Sequence, residues 1–301
     1  MEERRAFPSL ERALCALAGL FVAMNALSLL LSAGVSALTA RGMNVSPALL
    51  YAASGATELI CIGFPGFLWS RRAERAAAGA VRRDPLPARR ALLIVAAAVL
   101  SVPVMGALSA MWCTLLSAMG VACGAGMAVP QGTGETVACL LSAALVAPVC
   151  EEAFFRGRLL AAAEPLGTRR ALMLSTVFFA LLHGQIGALP VHLCIGAILG
   201  LLTVKNRSVY AAVLFHGCYN AATVLFARLP VPATGALPAG TLLLSGVVCA
   251  AWALCLTAAL LPGARMYTLP PGRRMSGMAR AMTVTLILAF SLPYLFSLGG
   301  L

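Results

Sequence analysis

The chain has 301 residues, of which 61% are hydrophobic and 11% charged, with a mean hydropathy of +0.93 and a formal net charge of +12. A soluble domain is normally about half apolar and about a quarter charged, so a soluble enzyme, a nucleic-acid-binding domain and a disordered tail are excluded. At roughly 20 apolar residues per bilayer span, the hydrophobic content fills about nine transmembrane helices.

In chain order, apolar stretches run at roughly 13–40, 46–69, 91–118, 136–157, 171–187, 189–204, 209–227, 239–261 and 281–298. All are expected to be helical, because a helix closes its own backbone hydrogen bonds in lipid. The first stretch is too long for a signal-peptide core and precedes no cleavage site, so it reads as a retained helix. The fifth and sixth are short, with only a Gly/Pro-containing turn between them, and fit either tilted or partly re-entrant helices. The expectation is therefore an all-α, polytopic transmembrane bundle of eight or nine spans, one membrane domain in which the first helices are an addition to a core starting near residue 91.

The positive charge is read first as a topology signal. With the N-terminus inside, the inner segments carry Arg4, Arg5 and Arg12; seven arginines from Arg71 to Arg90; Arg156, Arg158, Arg169 and Arg170; Lys205 and Arg207; and Arg265, Arg273, Arg274 and Arg280. Only Arg41 and Arg228 fall in the alternate connections, so 20 of the 22 basic residues obey the positive-inside rule. This predicts a cytoplasmic N-terminus and an external C-terminus. The arginine-rich loop 71–90, with Pro85 and Pro87, is expected to lie along anionic headgroups. No aromatic-interleaved soluble module accompanies the charge, and no nucleic-acid partner is expected. The ten cysteines show no disulfide framework and no CxxC pair; Cys113 and most of the others sit in apolar runs and read as small buried hydrophobes.

Ionisable groups inside spans are costly and are functional hypotheses by default. They comprise Glu58 in the second stretch, Glu151 and Glu152 in the fourth, His183 in the fifth, His192 in the sixth, and His216 in the seventh with Asn220 one turn on. Adjacent helical positions point about 100° apart, so Glu151 and Glu152 are expected to do different work. Glu152 and Arg156 stand four apart in the favourable acid-before-base order. That leaves Glu151, with Phe155 below it, to face another helix. Phe179 and His183 share one face, as do His216 and Asn220. Three helices thus offer a carboxylate, an imidazole, and an imidazole plus amide to one buried point.

Such a set has two chemical readings. A buried glutamate can act as general base towards water, with one imidazole positioning the water and an imidazole plus a carboxamide donating to an oxyanion. Alternatively, Glu151, His183 and His216 are a ligand set for a divalent metal such as zinc with an open water position. Either predicts hydrolysis of a carbonyl, most plausibly a peptide bond, within the membrane. Other mechanisms lack their residues: there is no HExxH or GxSxG, Asp84 is the sole aspartate, and Ser109 lacks a following glycine.

The run Ala147-Pro148-Val149-Cys150-Glu151-Glu152-Ala153-Phe154-Phe155-Arg156-Gly157 resembles the EExxFRG motif of the CPBP family, the type II CAAX prenyl endopeptidases and bacteriocin-processing (Abi) proteins. Phe179 to His183 is similar to its FxxxH motif and His216 to Asn220 to its HxxxN motif. Between them, Ile195 to Gly200 and then Lys205 to Ser208 are similar to its glycine-spaced helix and basic turn. The resemblance covers about 91–225. It implies a chain divided into 1–90 (N-terminal helices and basic loop), 91–228 (catalytic core) and 229–301 (C-terminal helices). It also implies Glu151 together with His183 as the water-activating pair, His216 with Asn220 as oxyanion or metal-binding groups, and Glu152 and Arg156 in support. The implied activity is that of an intramembrane endopeptidase acting on a membrane-embedded or lipidated substrate of prenylated CAAX type, with a divalent metal or none. The competing reading is a non-catalytic protein of the same fold, acting in bacteriocin immunity or as a binding scaffold. The expected location is a bacterial cell membrane before that of the endoplasmic reticulum.

His192 lies outside the motifs and reads as a packing or lumen-facing residue, and Glu58 as paired with a polar partner or facing a hydrated cavity. Rises of about 1.5 Å per residue from the nearest inner basic residue put Glu151 roughly 10 Å deep, His216 roughly 14 Å and His183 roughly 20 Å. A shared site requires these depths to be reconciled.

Overall fold

A computed structural model of the chain describes residues 7–63, 85–123, 128–229, 239–261 and 274–298. Arg4, Arg5, Arg265, Arg273, the basic loop 71–84 and the end of the second stretch, 64–69, lie outside the described residues. Among the described residues nine principal helices account for the nine apolar stretches. They are α1 (Phe7–Ala40), α2 (Pro47–Gly63), α3 (Ala88–Ala118), α4 (Thr133–Leu166), α5 (Thr168–Leu182), α6 (Leu189–Asn206), α7 (Val209–Phe226), α8 (Ala239–Leu260) and α9 (Gly277–Leu298).

The bundle is an integral membrane protein turned outward. Leu29, Met111 and Leu254 are each about 70% exposed, as suits a surface covered by lipid. Among the described residues five helices are long and apolar enough to cross a membrane, namely α1, α3, α4, α6 with its preceding turn, and α7. Shorter apolar helices lie in α2, α8 and α9. At 15 residues, α5 is about 22 Å long, less than the ~30 Å hydrocarbon thickness, in keeping with its short apolar run.

Local chemistry sets the boundaries. Ser46 accepts from the Leu49 amide at 3.3 Å, and Pro47 occupies the first helical position of α2. Gly167, at φ +90°, turns the chain between α4 and α5 with no Cβ penalty. The core lies where α7 packs on α3, α4 and α6, and α5 packs on α6. Around it, α2 lies against α4, α8 against α3, and α1 against α9.

One expectation is corrected. Cys113 is bonded to Cys123 in a disulfide that ties α3 to the loop after it. Both partners lie beside the helix end, so neither a CxxC spacing nor an even pattern of cysteines announced the pair.

Candidate active site

Pro148 shapes the helix that carries the adjacent glutamates. Proline has no amide hydrogen, so the carbonyls four and five residues back, Ala144 and Ala143, lose a donor. There α4 widens into a π-helical segment, Leu140–Val146. A second π segment, Phe155–Leu159, follows the α-helical Ala147–Phe154. Segments of this kind recur at functional sites because they disturb the regular hydrogen-bond ladder. Both are used here: Ala143 O accepts from Asn220 Nδ2 of α7 at 2.7 Å, and Phe155 O accepts from Ser175 Oγ of α5 at 3.0 Å. Alongside, a Cβ at Gly217 would stand 2.8 Å from Ala144 O, so α7 approaches α4 as closely as glycine permits.

Glu151 and Glu152 have the different roles that their angular separation predicts. Glu152 is fully buried, and its Oε1 accepts from Arg156 Nη1 at 3.0 Å and from His216 Nδ1 at 3.0 Å. Arg156, also fully buried, donates through Nη2 to Gly196 O of α6 at 2.9 Å and lies 4.4 Å from the Phe179 ring centroid. The i,i+4 pair was legible from the sequence; the bond to His216, 64 positions away, was not. Glu151 is buried, and its Oε2 has no hydrogen-bond partner within the protein.

His183 ends α5, where its Nδ1 bonds Phe179 O at 2.8 Å. A carbonyl only accepts, so Nδ1 carries the hydrogen and Nε2 holds the lone pair of the neutral ring. Phe179 touches both imidazoles, with centroids 4.9 Å from His183 and 5.8 Å from His216, and meets Phe155 edge to face. The end of α5 is fastened from outside the motifs. Tyr294 of α9 donates to Ala180 O at 2.9 Å, while Trp112 and Ser109 of α3 donate to Ile186 O and Gly187 O at 2.8 and 3.4 Å. The Ser109 hydroxyl is thus directed to a main-chain oxygen of the turn after α5.

Glu151, His183, His216 and Asn220 line one cavity of about 190 Å³, together with Phe179 and His192. Glu151 and His183 come level because each is 16 residues from the turn at Gly167, about 24 Å along the two helices. Measuring from Arg158 misplaced Glu151, since that arginine lies inside α4 rather than at its end.

Two residues set aside in the sequence belong to this neighbourhood. His192 lines the cavity and stacks on His183. Glu58 ends the regular part of α2, just before the segment 59–63 that packs on Ala147–Phe154, and its buried Oε2 has no hydrogen-bond partner. Their burden of burial within apolar helices was the only signal for either. Zinc requires three or four donors at about 2.0–2.3 Å from one point. Among the described residues no three His, Cys, Asp or Glu side chains are grouped to hold a metal ion. Glu151, His183 and His216 line one cavity but are not grouped as a ligand set.

Fold and site together define a polytopic helical membrane protein with buried acid, base and amide groups around an internal cavity. Residues 133–222 match the sequence model of the type II CAAX prenyl endopeptidase Rce1-like family. The matched segment spans all three polar motifs, which supports the CPBP resemblance. No curated protein and no solved structure is significantly similar to the chain.

Proposed function

We propose that the chain is an intramembrane endopeptidase that hydrolyses a peptide bond of a membrane-embedded or lipidated substrate, with prenylated CAAX-type tails as the substrate class. The observation that carries this reading is the convergence of Glu151, His183, His216 and Asn220, from three motifs on three helices, on one cavity in which a glutamate oxygen has no internal partner.

In this mechanism Glu151 takes a proton from a water that also donates to Nε2 of His183. The water oxygen bonds to the scissile carbonyl carbon, and the carbonyl π electrons move to oxygen. Asn220 donates to that oxyanion with the amide hydrogen not committed to Ala143 O. His216 donates from Nε2 as an imidazolium, which the Glu152 carboxylate behind Nδ1 supports. The C–N bond then breaks, and the proton held by Glu151 passes to the leaving nitrogen.

Replacement of Glu151 by Ala or Gln is expected to lower cleavage of a membrane-anchored peptide by at least about 10²–10⁴-fold, with membrane insertion and thermal unfolding unchanged. The precursor that accumulates in membranes of the mutant, read by proteomics, identifies the substrate. Cleavage retained in the mutant overturns the mechanism, and a cellular phenotype that survives it fits a binding scaffold instead. Cleavage lost to a chelator and restored by zinc would replace the water reading with a metal one.

A further inference from the structure

Along α6, His192, Gly196 and Gly200 follow one another at intervals of four and share one face. That face lies on α5. A Cβ at Gly200 would come within 2.8 Å of Leu172, and one at Gly196 within 3.1 Å of Phe179. This proximity brings the rings of His192 and His183 into a stack, with centroids 3.9 Å apart and planes inclined by 26°. The bond from Arg156 to Gly196 O, one turn away, fixes α6 at this depth.

Packing explains the ring of His192 but not its polar atoms. Nδ1 of His183 and Nδ1 of His216 each have an oxygen partner, whereas Nδ1 of His192 is buried with none. A buried polar atom left unpaired bears the whole loss of its hydration, so a phenylalanine would serve a purely packing role better. His192 also lines the cavity beside Glu151, His183, His216 and Asn220. Of the other polar residues there, Thr223 is turned back, its hydroxyl donating to Tyr219 O at 2.9 Å.

We propose that His192 binds substrate by hydrogen-bonding the peptide backbone next to the scissile bond; this rests on the peptidase reading of the cavity. A substrate segment drawn out of water must find partners for its N–H and C=O groups. The motif residues are occupied with the water and the attacked carbonyl. An uncharged imidazole carries one donor and one acceptor, so a ring nitrogen turned to the substrate finds a partner in either a backbone C=O or a backbone N–H. Such a grip ignores substrate side chains, so it acts on all peptides alike.

The test uses the full chain in nanodiscs and a fluorescent farnesylated peptide ending in Cys-Val-Ile-Met as probe. Binding is measured by anisotropy in Glu151→Ala, where no turnover interferes, and again with His192→Phe or His192→Asn added. His192→Phe keeps a ring against His183 and is expected to leave the melting temperature unlowered while weakening binding about five- to tenfold, the scale of one hydrogen bond. His192→Asn is expected to restore part of the affinity. Binding within about twofold of the Glu151→Ala parent in the His192→Phe chain, or no binding of the probe to Glu151→Ala, overturns the proposal. Binding that depends on His192 while the unmodified chain leaves the probe intact overturns the peptidase reading alone.

Discussion

On a single oxygen of Glu152, with no solvent in contact, a guanidinium and an imidazole are held 3.0 Å away. Removing one member of a buried ion pair strands its partner at a cost of about 3–5 kcal/mol. Arg156→Ala is therefore expected to lower stability by about that amount, read as a fall in melting temperature and in yield from the membrane. Glu152→Gln keeps the shape and an acceptor for Nδ1 of His216 but removes the charge that supports the imidazolium. It is expected to cut kcat by about 10²–10³-fold, the scale of one lost oxyanion donor, with KM little changed. An unaltered kcat would assign Glu152 to structure alone. The sequence placed Glu152 against Arg156 because both lie on one helix face. Its second partner depends on how α4 and α7 meet, which no local spacing encodes.

The nine helices were legible in the sequence to within a few residues at most ends, because apolar runs and polar connections alternate. The π segments in α4 were not, as windows of five to seven residues carry no period that separates π from α. The cause of the first was nevertheless written in the chain, since Pro148 removes the donor that Ala143 and Ala144 would have met. Asn220 takes up the first of these carbonyls, and Gly217 allows the approach. Gly217→Ala is expected to push α7 off α4, destabilising the chain by about 1–3 kcal/mol. It also shifts the adjacent His216 from Glu152, so activity falls more than stability does. Equal melting temperatures for mutant and parent would mean that the interface yields without strain.

For the whole molecule, the arrangement of basic residues makes a claim about the membrane that the bundle by itself does not. A reporter enzyme active only outside the cytoplasm is expected to work when fused after Arg41 or Arg228 and to be silent after Arg90 or Arg207. The opposite pattern would invert the topology. The division into 1–90, 91–228 and 229–301 stands as a proposal, and contacts cross both of its boundaries. The first part of α2 packs against α4, Tyr51 donates to Ala128 O, and Tyr294 of α9 bonds the end of α5 beside His183. The matched segment, 133–222, therefore holds the proposed reacting groups but not all that positions them.

Tyr294, Trp112, Ser109, Ser175, Asn220 and Arg156 all fasten a neighbouring helix or turn by a main-chain oxygen. Every residue type has such an oxygen, so the receiving positions can drift while the bond persists. A change at Ile186 calls for no answering change at Trp112. Contacts of this sort leave no paired trace for covariation to detect, and the cavity's framework can be inherited by chains whose alignments show only isolated aromatic and hydroxyl residues far from the motifs.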